Sequence, residues 1–292
     1  MPAVLRSTSP SLAGRRVLIT GAARGIGAAL AQRLHARGAR VAVIGLEPDL
    51  LAEVARSCGD GPWRACDVSD REQVERAVDE VVAELGGLDV VVANAGVAAQ
   101  LPLVGGDPAV MERTLAVNVL GVYYTLRAAG PHISHRDGYA LAISSMAAAV
   151  HLPLLGAYSA SKAAVEALGD TLRAELRPSG ARVGVAYFAE LDTDMTSRGF
   201  GTEAAARLTK GGAAAFSRVA PLRLGIDALE AGIARRSRRV VAPRWAALVI
   251  PFRGVAQRVI EVATRRGLAD ALDIARAEKA PLTTEQPESV AS

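Results

Sequence analysis

Arg16-Val17-Leu18-Ile19-Thr20-Gly21-Ala22-Ala23-Arg24-Gly25-Ile26-Gly27 is the stretch that decides the fold. A strand-like apolar run enters a glycine-rich turn, and an apolar-periodic helix follows over residues 26–37 until Gly38 stops it. Such a turn presents backbone N–H groups and the positive end of a helix dipole to whatever lies before it, which suits a dinucleotide pyrophosphate. Strand before and helix after are the context that lifts a glycine pattern above chance.

Outward from this turn the alternation repeats. Strand-like runs at 41–44, 63–66, 88–93, 139–143, 182–187 and 240–241 interleave with helical patterns from Pro48 and over 74–85, 115–129, 158–176 and 226–236. Short strands alternating with longer helices build βαβ units, so the expected fold class is α/β, a doubly wound parallel sheet. We expect one dinucleotide-binding and catalytic domain over 14–243, a disordered start over 1–13, a basic amphipathic extension over 244–277 and a disordered tail over 278–292. Residues 196–217, rich in Gly and Ala with weak periodicity, suit a mobile flap over a pocket.

Composition narrows the function. Half of the 292 residues are hydrophobic and 22% are charged, a soluble globular balance. The two cysteines, Cys58 and Cys66, lack metal-ligand spacing and read as buried small hydrophobes in a reducing compartment, so no metal site is expected. No secretory leader pattern opens the chain and no apolar run reaches the ~18 residues of a spanning helix, so a cytoplasmic location is expected. The basic character is local: residues 235–266 hold nine Arg against Glu261, a charge of +8. With aromatics at 4%, nucleic acid is not an expected partner.

A second stretch, Tyr158-Ser159-Ala160-Ser161-Lys162, places a phenol and an ammonium four residues apart on one helix face. A unit charge at ~4 Å and an effective dielectric of ~20 supplies roughly the 3–4 kcal/mol that lowers a tyrosine pKa by 2–3 units. A depressed phenol serving as proton exchanger is therefore expected. Asn118 sits in an otherwise apolar helix, where it either serves the site or kinks the helix. His35, His132 and His135 lack partners at motif spacing and suit surface or capping roles, whereas His151 is expected to line the substrate pocket.

In order and spacing, Thr20-Gly21, Gly25 and Gly27, then Asp67-Val68, Asn94-Ala95-Gly96, Asn118, Ser145, Tyr158 and Lys162 resemble the short-chain dehydrogenase/reductase family in its TGxxxGxG and YxxxK form. The resemblance covers residues 15–241. It implies an NAD(P)(H) cofactor whose pyrophosphate and ribose meet Thr20, Gly21, Arg24, Gly25, Ile26 and Gly27, whose adenine meets Asp67 and Val68, and whose nicotinamide carboxamide meets Thr193. Asn94-Ala95-Gly96 would pack against the cofactor, or serve only as a strand-ending turn. Tyr158 would exchange the proton, Lys162 would tune it and contact the ribose, Ser145 would hold the substrate oxygen, and Asn118 would hold a water linking Lys162 to solvent. The chain departs from the family at Phe188-Ala189, where Pro-Gly is usual.

Gly45 stands where an acid would hold the ribose 2′-OH, and Arg24 could pair with a 2′-phosphate, so the sequence leans to NADP; Glu47 is the opposing feature. Val97, Ala98 and Ala99, residues 146–150 and residues 152–155 are mostly apolar, which favours a hydrophobic secondary alcohol or ketone of steroid, terpenoid or lipid type. Arg198 and Lys210 in the flap are the residues able to add charge there. Leu248, Phe252, Val255, Val259 and Val262 recur at helical spacing beside Arg253, Arg258, Arg265 and Arg266. Residues 244–266 thus suit peripheral membrane contact, a cover for the cleft or an interface in an expected homo-oligomer. The reading is an NAD(P)-dependent oxidoreductase; the alternative is a non-catalytic cofactor-binding sensor or scaffold, which needs no phenol-ammonium pair.

Overall fold

In the computed structural model, residues 11–199, 202–210, 219–278 and 282–284 are described. Seven strands form one sheet: β1 (Arg16–Thr20), β2 (Arg40–Gly45), β3 (Trp63–Ala65), β4 (Val90–Ala93), β5 (Tyr139–Ile143), β6 (Arg182–Phe188) and β7 (Arg239–Ala242). Their order is β3-β2-β1-β4-β5-β6-β7, and every neighbouring pair is parallel. Helices α1 (Gly25–Ala36), α2 (Pro48–Ser57), α3 (Arg71–Leu85), α4 (Pro108–Leu115), α5 (Gly121–Ile133), α6 (Gly156–Glu175) and α9 (Leu222–Arg235) make the crossovers.

The continuous apolar runs follow from burial on both faces. In β1, Val17 and Ile19 join the core beneath α1, α2 and α9, while Leu18 joins the core beneath α3, α5 and α6. Strand order reverses between β1 and β4, so their carboxyl ends part and leave a crevice. At the opposite ends, the Asp89 carboxylate accepts hydrogen bonds from the Arg16 backbone N–H, Nε and Nη2, clamping β1 to β4.

Several segments differ from the sequence reading. The helix expected from residue 115 starts at Pro108, where Asp107 caps it by accepting the Ala109 N–H at 2.9 Å. A π-helical turn over Ala116–Leu120 then carries it into α5. Order also begins before residue 14, because Leu12 is buried in the core; residues 1–10 lie outside the described ones.

The flap and the tail hold more structure than their composition suggests. Helices α7 (Asp194–Gly199) and α8 (Glu203–Lys210) occupy much of the expected flap, residues 200–201 and 211–218 lying outside the described ones. Ala204 and Leu208 of α8 pack on Ala271 of α12 (Leu268–Ala277), with Leu154 beneath. Glu278, expected to open a disordered tail, caps α8 by accepting the Glu203 and Ala204 N–H groups. Farther on, Thr283 is buried: its N–H donates to the Ala98 carbonyl and its Oγ1 accepts the Ala98 N–H. The remaining helices, α10 (Ala246–Val249) and α11 (Arg253–Ala263), break at Pro251. Among the described residues no helix is long and apolar enough to cross a membrane.

Candidate active site

The glycine turn after β1 and the turn after β4 meet across the crevice. Gly21 has φ +62°, and a Cβ there would stand 2.6 Å from the Ala95 Cα. Only glycine meets both conditions. Thr20 Oγ1 accepts the Asn94 and Ala95 N–H groups at 3.0 and 3.1 Å, and Asn94 Nδ2 donates to the Thr20 and Gly21 carbonyls. Helix α1 then starts with no side-chain cap and no acid in its first turn. Its leading amides and positive dipole end are thereby left for an anion in the cavity.

One cavity of about 320 Å³ runs from this turn to α6. Gly21, Arg24, Gly25, Ile26, Asp67, Val68, Asn94, Ala95, Gly96, Ser145, Tyr158, Lys162 and Thr193 line it. Thr20, Gly27 and Asn118 do not. Thr20 is the buried link between the two turns, and a Cβ on Gly27 would lie 2.8 Å from Asn94 Nδ2, so that glycine serves close packing. Their motif positions are filled for architectural reasons one layer behind the wall.

At the β2 end the electrostatics differ from the sequence picture. Arg24 is not free: its Nε and Nη2 donate to both Glu47 oxygens, the Nε bond at 3.0 Å, and its Nη1 lies 3.4 Å from Asp194 Oδ2. The hydrogen bonds to Glu47 raise the guanidinium pKa against the effect of burial. Asp67 is equally committed, accepting from Arg113 Nη2 at 2.7 Å and from the Ser69 N–H and hydroxyl. Burial pushes its pKa up, and the bonds from Arg113 and Ser69 outweigh that and hold it below the ordinary carboxylate value.

The other end holds the titratable pair. Tyr158 and Lys162 share one face of α6, both buried, with Lys162 Nζ 5.6 Å from the phenol ring centroid and donating to the Ile143 carbonyl at 3.0 Å. Burial lowers the ammonium pKa to about 8. Burial also pushes the phenol up to about 12, against the opposing hydrogen bond with Ser145. The expected depressed phenol is thus corrected: stripping water from the phenolate costs more than these groups return.

Ser144 and Ser145 diverge as their extended backbone requires. Ser144 Oγ donates to the Lys162 carbonyl, whereas Ser145 Oγ stays at the cavity wall beside Tyr158 and accepts the Ala147 N–H. Asn118 is fully buried in the π-helical turn: its Oδ1 accepts the Val97 N–H, and its Nδ2 donates to the Val97 carbonyl and to Ser161 Oγ. Its side chain braces the strand-ending turn against α6, immediately behind Gly96, whose Cβ position would be 3.4 Å from Lys162 Nζ.

His151 does not line the cavity. It is exposed and its Nδ1 lies 3.0 Å from the Ala147 carbonyl. Sequence reasoning missed Glu190, Asp194, Met195 and Thr283, all in the wall. Glu190 follows Phe188-Ala189, and burial raises its pKa. Its position beside the departure from Pro-Gly was the available signal; Thr283 had none.

The short chain dehydrogenase family model matches residues 15–204. Among curated proteins, a D-threitol dehydrogenase of Mycolicibacterium smegmatis is 37% identical over 177 residues, 59% of this chain and 68% of that protein. A fatty acyl-CoA reductase of Mycobacterium tuberculosis is 30% identical over 249 residues, 80% and 83% of the two chains. Among solved structures, a short chain dehydrogenase from Mycobacterium paratuberculosis bound to NAD superposes with a TM-score of 0.72 at 29% identity, covering 82% of this chain and 99% of that one. The parallel sheet, the crevice at its reversal point and the matched residues lead to one conclusion: this chain belongs to the short-chain dehydrogenase family of oxidoreductases.

Proposed function

We propose that this enzyme interconverts a hydrophobic secondary alcohol and its ketone with NAD(H), Tyr158 exchanging the proton. The observation that carries the reading is that the uncapped α1 terminus and the buried Tyr158-Lys162-Ser145 group open on one cavity. The cradle fits a dinucleotide, since the glycines at 21 and 25 add no side chain to its wall and the uncapped amides of α1 face it. Bound there, the nicotinamide supplies or receives hydride.

The protein's own groups handle the oxygen. Ser145 Oγ donates to the substrate oxygen and fixes it near the phenol. In the reducing direction Tyr158 gives its proton to that oxygen as the carbonyl carbon gains hydride, and in the oxidising direction the phenolate takes it back. Lys162, charged below about pH 8, stabilises the phenolate between turnovers. Asn118 sets the wall behind Gly96 and so positions Lys162.

For cofactor choice, the NADP expectation needed Arg24 free for a phosphate. Glu47 holds that arginine, and Glu47 and Asp194 together outnumber its charge, so a 2′-phosphate would meet net repulsion while Glu47 can accept a ribose hydroxyl. The NAD in the mycobacterial neighbour supports this. Met146, Val150, Leu152, Leu155, Phe188 and Ile260 make the substrate end apolar, which supports the substrate class.

Calorimetric titration of both dinucleotides, followed by a panel of alcohols and ketones read by nicotinamide absorbance, tests the proposal. NAD should bind at least roughly tenfold tighter than NADP, and Glu47→Gln should narrow that gap by about tenfold. Turnover confined to polyols, or tighter NADP binding, would overturn the substrate or the cofactor assignment respectively.

A further inference from the structure

The two helices that roof the cavity carry apolar side chains on both faces. Underneath, Val249, Ala256 and Ile260 line the cavity, and Ala246 and Ile250 are buried. On top, Leu248, Phe252, Val255, Val259 and Val262 follow Trp245, which sits at the cavity rim, at three- and four-residue spacing, each of the six 51–70% exposed. Six large apolar side chains exposed within one short segment ordinarily mark an interaction surface, so this face is a surface awaiting cover.

The neighbouring charges state what covers it. Arg244, Arg258, Arg265 and Arg266 flank this stripe and are exposed, and among the described residues none of them is paired with a carboxylate. Several arginines elsewhere in the fold are paired with acids: Arg16 with Asp89, Arg33 with Asp227 and Glu230, Arg64 with Glu80 and Glu84, Arg113 with Asp67. Others, such as Arg40 and Arg56, reach backbone carbonyls. This segment is set apart by having its arginines beside an exposed apolar stripe. Among its described residues only Arg253 is held by an acid, Glu166. A second copy of this chain is a poor cover, because a two-fold contact would set these arginines against one another with Glu261 the one acid in 235–266.

We propose that α10 and α11 dock the protein on an anionic lipid bilayer, the apolar stripe entering the interface and the arginines meeting the headgroups. Trp245 and Phe252 are residue types suited to that depth. The surface assignment stands independently of the reaction. For the reaction proposed above, its consequence is that a lipid-dissolved substrate reaches the cavity beneath the same two helices without crossing bulk water.

Vesicle co-sedimentation of the whole protein is the test, with pure phosphatidylcholine and with about 30% phosphatidylglycerol, at about 50 and about 500 mM salt. Partitioning should favour the anionic vesicles by more than about tenfold at low salt and collapse at high salt. The combined Arg258→Gln, Arg265→Gln and Arg266→Gln variant should bind them roughly 100-fold more weakly. Leu248→Ser, Phe252→Ser and Val255→Ser together should abolish partitioning while leaving dinucleotide affinity unchanged, which shows that the fold survives. Partitioning read in Tyr158→Phe protein separates this claim from the catalytic one, since that variant should bind vesicles fully. No binding by the parent, equal binding by the variants, or loss of an oligomer in the serine variant without any vesicle binding would each overturn the proposal, the last assigning the face to a second copy.

Discussion

At the scale of single residues, burial governs the chemistry. Tyr158 at about 12 and Lys162 at about 8 mean that at neutral pH the phenol keeps its proton and the ammonium its charge, the pairing a reductase needs. Reduction should therefore hold steady below pH ~8 and fall as pH rises through that value, while oxidation, which needs phenolate beside a charged Lys162, should climb up to pH ~8 and then level off. Steady-state kcat/KM in both directions across pH 6–10 checks this; profiles of the same sign would remove Lys162 from the account. In the sequence, helical spacing puts Tyr158 and Lys162 on one face, and the family resemblance singles out Ser145. The sequence reading misjudged the phenol's direction because a Coulomb estimate at ~4 Å ignored desolvation, and Lys162 turns its Nζ toward Ile143 instead. The proposed preference for NAD rests likewise on a tertiary contact, the Arg24–Glu47 pair, that no residue count shows.

At the scale of elements, the strand-turn-helix units were legible because period and glycine chemistry agree locally. Gly21 shows how strictly. Gly21→Ala places a Cβ within 2.6 Å of the Ala95 Cα at a left-handed φ, so we expect roughly 1–3 kcal/mol of lost stability and a dinucleotide affinity lower by more than about tenfold. Denaturant unfolding with a parallel cofactor titration reads both, and an alanine variant that binds normally would dismiss the close-approach argument. What escaped reading escaped for physical reasons. Asp107-Pro108 is a capped helix start whose apolar period is too weak to see, and the π-helical turn at Ala116–Leu120 depends on Asn118 bracing Val97 and Ser161. Thr283 packs against Ala98 from a polar stretch with no periodicity at all.

Across the whole molecule, the sheet is held shut at the end opposite the cavity by Arg16 and Asp89. Burial raises the Asp89 pKa and the bonds from Arg16 more than reverse that, so its folded value lies below its unfolded one. That contribution is complete above the unfolded value of ~4 and is lost as pH falls through the folded one. Asp89→Asn should cost about 2 kcal/mol at pH 7 and make the acid limb of the stability curve shallower, as measured by urea unfolding at pH 7 and pH 4. A variant as stable as the parent at pH 7 would show the clamp to be idle. The same sheet carries the glycine turn and α6 to one cavity, and that convergence is the basis of the catalytic claim. Its most direct test is single-turnover reduction by Tyr158→Phe, read at the nicotinamide absorbance beside a dinucleotide titration. The account predicts a rate lower by about 10³-fold or more with affinity within about threefold of the parent. Retention of more than a few per cent of the rate would contradict it.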